Sequence, residues 1–348
     1  MKTKRFAALG LVLALTLLGG CASKPAEPTP EPVSTPTAAP TATPAPEKTT
    51  VNVGMLVGPT GLGAAKLMSE NDAGESVNDY NFTLVSAPTD MAPKLSNSDV
   101  DIAALPTNVA ASLYHKLNGG IELLALNTRG VMYILENGAT ISSMADLKGK
   151  TILAPSNGKG ANPEYVLNYL LTQSGLDPAS DVTIEWKTSE EITAAMGSGE
   201  AKVCMLPVPA STAVLMKNAD VREALDLTEV WDEVSDGAGA LTMGCVVART
   251  AFVEEHPEAV AAFLTEYGAS IDYMSDAANL DDAAALAEQY QIVPKAAVAK
   301  LALPSANLCF VTGDEMMADI QGYYEVLFAA DPTSIGGSIP DGAFYYNP

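Results

Sequence analysis

Twice along the chain, short apolar runs alternate with longer stretches whose apolar residues recur at helical spacing. This repeated alternation predicts an α/β protein with largely parallel sheets. In the first round, strands are expected over VNVGMLV (51–57), NFTLVSA (81–87), DIAAL (101–105) and IELLALN (121–127). Helices are expected after Gly61, across Asp90–Ser96 and over Asn108–Lys116. VMYILE (131–136) follows with only Thr128-Arg129-Gly130 between. The second round has a turn and strand in SMADLKGKTILAP (143–155), a helix in PEYVLNYLLTQSGL (163–176) and a strand in DVTIEW (181–186). Thr188-Ser189-Glu190-Glu191 has the spacing of a capping box opening the next helix. Strand KVCMLP (202–207), helix ASTAVLMKN (210–218) and long strand ALTMGCVVA (240–248) complete the round. The last hundred residues read as helices at Phe252–Met274, Asp281–Gln291, Pro294–Leu301 and Asp314–Phe328. Two α/β lobes result, with crossings near 130–136 and 240–248: lobe 1 from 51–132 and 246–348, lobe 2 from 133–245. The chain reads as monomeric. Its ligand is expected between the lobes, outside the carboxyl ends of the strands.

The amino-terminal segment sets the compartment. Lys2, Lys4 and Arg5 precede the apolar run FAALGLVLALTLL (6–18), the layout of a signal peptide rather than of a permanent span. Leu18-Gly19-Gly20-Cys21 resembles a bacterial lipobox, which implies cleavage after residue 20 and lipidation of Cys21. Residues 22–50 hold eight prolines and no aromatic residue. Such a segment lacks the apolar surface to offset its chain entropy and is expected to act as an extended linker.

With 19 basic and 42 acidic residues and a net charge of −23, the chain is a poor electrostatic partner for nucleic acid. Cys204, Cys245 and Cys309 each sit in an apolar stretch and read as small buried hydrophobes, a disulfide between two of them being the alternative. His115 and His256 lie in charged helical surroundings and are expected to be solvated. No cluster has metal-ligand spacing, no catalytic constellation is apparent, and no cofactor is implied.

The loops after the strands carry the remaining signal. Gly58-Pro59-Thr60-Gly61-Leu62-Gly63 follows the first strand but lacks the Lys-Ser/Thr of a phosphate loop, and Lys66 comes too late. Its glycines and free helix-start N–H groups still suit an oxygen-bearing ligand; the alternative is a tight turn alone. Pro106-Thr107-Asn108 repeats the pattern after the third strand. So does Ser156-Asn157-Gly158-Lys159-Gly160-Ala161-Asn162, where Lys159 offers a positive charge or is merely solvated. Pro207 and Leu62 suit apolar walls, and Trp186 either lies over a ligand or packs.

DLKGKTILAP (146–155) and the ordered phrases VTIEW, EEITAAMGSGEAKVCMLPVPAS, LTEVWDEV and MGCVVARTAFVEEHPEAVAAFLTEY resemble the substrate-binding lipoproteins of bacterial ABC importers. The similarity is to their nitrate/sulfonate/taurine and thiamine-precursor branch. It implies a class II periplasmic-binding-protein fold and a binding function rather than an enzymatic one. A small-molecule ligand would sit near 58–62, 106–108, 156–162 and 206–209, for delivery to an importer permease. The sequence departs from that branch in having Val-Cys-Met-Leu where some members carry a tryptophan. After the leader, Arg129, Arg222 and Arg249 are its only arginines, so no arginine clamp for an anion is evident. A pyrimidine-synthase-like enzyme of the same fold, and a binding protein serving a sensor, are the alternatives.

Overall fold

The structure, a computed structural model, describes residues 48–347 apart from 236 and 238. The leader, Cys21 and the linker up to residue 47 lie outside the described residues. The first lobe begins with β1 (Thr50–Leu56), α1 (Pro59–Leu62), α2 (Ala65–Asp72), β2 (Asp79–Val85), α3 (Pro88–Ser96), β3 (Ile102–Pro106), α4 (Thr107–Lys116) and β4 (Ile121–Arg129). Lobe 2 comprises β5 (Met132–Asn137), β6 (Thr151–Pro155), α5 (Asn162–Gln173), β7 (Thr183–Lys187), α6 (Ser189–Ser198), β8 (Val203–Pro207), α7 (Ala210–Lys217), β9 (Val221–Asp226) and α8 (Leu227–Val234). The chain then returns through β10 (Thr242–Arg249), α9 (Thr250–Glu255), α10 (Pro257–Ser275), α11 (Leu280–Gln289), α12 (Ala296–Ala302), β11 (Leu308–Val311) and α13 (Gly313–Ala330).

The first sheet has the order β11-β4-β10-β3-β1-β2 and the second β7-β6-β8-β5-β9. β1 pairs in parallel with β2 and β3, and β6 with β7 and β8. The sheets are mixed rather than largely parallel. β10 is antiparallel to β3 and β4, and β5 to β8 and β9. The reason is the crossing: each of these strands arrives from the other lobe and enters at the carboxyl ends of its new neighbours, so it runs against them. Residues 242–245, expected in lobe 2, already pair in the first sheet.

Local chemistry explains most boundaries. Thr188 accepts the Glu191 amide at 3.2 Å and Glu191 returns a bond to the Thr188 amide at 2.8 Å, the expected capping box. Pro59 and Pro88 stand in the first turns of α1 and α3, where a missing N–H costs nothing. The helix expected over 252–274 is two helices, because Pro257 cannot continue α9 and opens α10 instead. Three elements were not anticipated: β9, an edge strand with half of its residues half-buried, α8, capped by Asp226 on the Thr228 amide at 2.8 Å, and the short edge strand β11.

Two apolar cores result, and each draws residues from both lobes. Tyr133, Leu206 and Val208 share one with Ile292, Ala299 and Leu303; Ile134 and Trp231 share the other with Leu126 and Tyr323. Cys204 and Cys245 are buried, Cys309 is half-buried, and all three are free thiols. His256 is exposed, but His115 is half-buried, with Nε2 2.7 Å from the Ser338 carbonyl, so it is not simply solvated.

Candidate functional site

In both lobes the parallel strands end in short loops that start helices: β1 into α1, β3 into α4, β6 into α5 and β8 into α7. Three of these loops meet around the first residues of β10. The Thr107 hydroxyl donates to the Thr242 carbonyl at 2.7 Å. Asn162 Nδ2 lies 3.6 Å from Met243 Sδ. The Thr60 carbonyl accepts Asn127 Nδ2 at 3.2 Å, and Asn127 lies against Gly244, where an added side chain would meet its Oδ1 at 2.6 Å. Three consecutive residues, 242–244, thus connect with the loops carrying Thr107, Asn162 and Thr60. Tyrosines brace the junction: Tyr267 accepts Asn127 Nδ2 at 2.9 Å, Tyr324 donates to the Thr107 carbonyl at 2.8 Å, and Tyr323 donates to Asn162 Oδ1. The fourth loop joins at the other crossing, where Pro207 pairs with Met132 and the Val208 amide donates to Val131 at 3.1 Å.

A cavity of about 370 Å³ opens between the lobes, within the size range of small-molecule sites. Pro88 and Thr89 at the start of α3, Asn108 and Ser112 on α4, and Gly160 and Tyr165 from lobe 2 are among its lining. Asn108 and Gly160, more than fifty residues apart in sequence, therefore share one cavity. Its mouth is not uniformly positive. The Gly160 amide donates to Glu164 at 2.5 Å, and the Tyr165 phenol donates to Asp331 at 2.9 Å. Hydrogen bonds from Thr333 hold the Asp331 carboxyl below the usual range, while burial and Asp331 push the Tyr165 phenol up to about 12. Lys116 is the lysine of the lining. A larger cavity, about 570 Å³, lies by the amino ends of β6 and β8 and the carboxyl end of β5, among Lys150, Lys187, Lys202 and Glu200, and none of the four loops lines it.

The other expected site residues divide. Pro59, Thr60, Pro106 and Pro207 are half-buried at the loops. Ser156 and Lys159 are exposed and do not line the inter-lobe cavity. Trp186 is half-buried and packs on the loop itself: a side chain added at Gly158 would stand 3.6 Å from its ring. Leu62 is a core residue, 2 % exposed, not a pocket wall. Gly61 has no side chain because the Leu56 carbonyl, 2.0 Å from where its Cβ would be, leaves no room. The positive φ belongs to Gly58, at 101°. Asn127, Thr242 and Met243 were not anticipated. A signal existed for Asn127, since the Asn127-Thr128 pair follows the apolar run Leu123–Leu126 of its strand and both side chains are buried.

The arginines serve the framework. Arg129 pairs with Asp319 at 2.8 Å, Arg222 with Glu136 at 2.8 Å and Arg249 with Asp101 at 2.5 Å. Among the described residues no group of acids, histidines and cysteines is arranged to hold a metal ion.

Two lobes, two crossings and mixed sheets each built around a strand from the other lobe define the two-lobe periplasmic-binding-protein fold. Comparison with known proteins agrees. Residues 116–278 match the family model described as NMT1/THI5 like. The chain is similar to the crystal structure of an ABC transporter protein from Parabacteroides distasonis, with a TM-score of 0.71 at 20% identity over 86% of this chain and 99% of that one. It is similar to the periplasmic aliphatic sulphonate binding protein SsuA of Escherichia coli, with a TM-score of 0.65 at 17% identity over 87% and 93%. It also resembles the periplasmic nitrate-binding protein NrtA of Synechocystis, with a TM-score of 0.52 at 15% identity over 78% and 75%. No curated protein matches in sequence. The fold implied by the phrases from Asp146 onward is thus the fold observed.

Proposed function

We propose that this protein is the extracytoplasmic solute-binding component of an ABC importer. It captures a small organic molecule with polar or anionic oxygen atoms between its lobes and hands it to a permease. The observation that carries this reading is the inter-lobe cavity of about 370 Å³, lined by the starts of helices from both lobes. Helix starts present free N–H groups and a positive dipole end to an oxygen-bearing ligand. The ABC transporter protein of the same fold supports the transport context, and the periplasmic sulphonate- and nitrate-binding proteins support the class of solute. Cys21, by its lipobox-like setting, tethers the protein to the outer face of the cell membrane, with the proline-rich linker as spacer. Among the described residues no helix is long and apolar enough to cross a membrane.

We read the site as binding rather than catalytic. Burial pushes the Cys204 thiol up to about 12 and the Cys309 thiol to about 11, far from a reactive thiolate. His256 is exposed at the break between α9 and α10, and His115 is held by Ser338, so neither stands at the junction of the loops. A thermal-shift screen of sulfonates, nitrate, thiamine precursors and aromatic acids tests the reading. A true ligand at a hundredfold excess over its dissociation constant stabilises the fold by about 2.7 kcal/mol. It should also be recovered chemically unchanged. Turnover of a hit would favour the enzyme instead, and a screen without any shift would sink the proposal.

A further inference from the structure

Two buried donors beside the head of β10, the Thr242 hydroxyl and the Asn162 amide, have no oxygen acceptor among the described residues. Thr242 is fully buried, and its hydroxyl has no hydrogen-bond partner among the described residues. Its carbonyl is already occupied by the Thr107 hydroxyl at 2.7 Å. One residue on, Met243 presents its sulfur 3.6 Å from Asn162 Nδ2. Asn162 is 5 % exposed, and its Oδ1 is taken by Tyr323. A thioether is a weak acceptor, so this amide group is poorly served. Buried polar groups are nearly always paired, and an orphaned one costs the full desolvation of the group. An unpaired hydroxyl on β10 and a poorly served amide at the start of α5, both placed where three site loops meet, point to an acceptor that comes from outside the chain.

We propose that the Thr242 hydroxyl contacts the solute, donating together with the Asn162 amide to its oxygen atoms. This rests on the reading of the protein as a solute binder and places the solute's oxygen atoms beyond the lining of the inter-lobe cavity, behind Asn108 and Ala161, since neither Thr242 nor Asn162 lines it. The chemistry is that of a carboxylate, sulfonate or carbonyl oxygen received by neutral donors rather than by a cation. The charged groups agree: the three arginines are committed to Asp319, Glu136 and Asp101, and Lys159 is exposed.

Thr242→Val keeps the side-chain shape and removes the hydroxyl; Thr242→Ser restores it. Both are compared with the wild type by calorimetric titration against methanesulfonate, taurine, acetate and nitrate, and by thermal unfolding without additive. The wild type should bind at least one probe. Thr242→Val should bind it about three- to tenfold more weakly, the worth of one hydrogen bond, and Thr242→Ser should recover most of the loss. Without additive, Thr242→Val should melt at or above the wild-type temperature, since an unpaired hydroxyl has been replaced by a methyl. Equal affinity of wild type and Thr242→Val overturns the inference alone, and so does a clear drop in its melting temperature without additive. A wild type that binds none of the four probes overturns the inference, while the solute-binding reading falls only if the wider thermal-shift screen also gives no shift.

Discussion

Tyr323 and Asn162 join the C-terminal helix α13 to the first turn of α5, the phenol donating to the side-chain carbonyl. Both residues are buried. α13 also packs on β4 and β10, so this bond ties the returning chain to lobe 2 where the site loops meet. Opening the cleft on this side has to break it. Tyr323→Phe leaves the Asn162 oxygen buried without a donor, at a cost of about 1–3 kcal/mol. Urea unfolding should show that loss, and small-angle scattering of the ligand-free protein should show a larger radius. An unchanged midpoint together with an unchanged radius would mean that the clasp does not hold the lobes.

Lys159 stands on a site loop but is exposed and does not line the cavity. Lys159→Met is therefore expected to change affinity for a bound solute by less than about 1 kcal/mol, the scale of an exposed charge pair. A loss of thirtyfold or more in calorimetric titration would place the ammonium on the solute.

Glu136 anchors the start of lobe 2. It is 3 % exposed, accepts the Thr140 amide at 2.8 Å and the Ile141 amide at 3.0 Å, and pairs with Arg222. Burial alone would raise its pKa, but the bonds from Thr140, Ile141 and Arg222 outweigh burial and hold it below the usual carboxylate range. A depressed carboxylate adds stability above its unfolded value, about 4.3, and loses it as the pH falls through the lower folded value. Glu136→Gln should cost about 1.5–3 kcal/mol at pH 7. The gap between the two proteins should narrow as acid titrates the wild type. A gap that stays constant from pH 7 to pH 3 would contradict this account.

The three thiols offer a direct check on the packing. Cys204 and Cys309 are pushed up to about 12 and about 11 by burial, and Cys245 lies above the ordinary thiol range for the same reason. In the Cys21→Ser protein at pH 8, a thiol reagent should find almost nothing to react with until guanidinium is added. It should then find all three. Rapid reaction of one thiol in the native protein would mark an opening of the core near it.

The proposed lipidation of Cys21 has its own test. Cells fed a palmitate analogue should label the wild-type protein and not Cys21→Ser. Labelling of both to the same extent would remove the anchor.

The parts legible in the sequence were those fixed by local chemistry. Thr188 and Glu191 announce their helix because a capping box is complete within four residues, and the strand-to-helix loops announce themselves by proline, glycine and hydroxyl residues. What escaped depended on distant partners. β9 alternates weakly because it is an edge strand, and nothing in its own six residues says that it will lie beside β5. Gly61 looks the same in sequence whether a ligand or the Leu56 carbonyl fills the space above it. Thr242 reads as an ordinary strand residue until Thr107 is brought to its carbonyl and Asn162 to the neighbouring Met243. The break at Pro257, by contrast, was written in the sequence and needed only the rule that proline does not continue a helix.

The two sheets differ in when they can be completed. Every strand of the second lies within residues 132–226, one uninterrupted stretch. The first keeps a place between β3 and β4 for Thr242–Arg249, which is made only after the whole of lobe 2. During synthesis the amino-terminal strands must wait, with β3 lacking a neighbour on one side, until some 110 further residues have followed β4. On the export proposed above, the chain has to stay unfolded until it is across the membrane. The late arrival of β10 is one way for its own topology to delay closure of the first lobe.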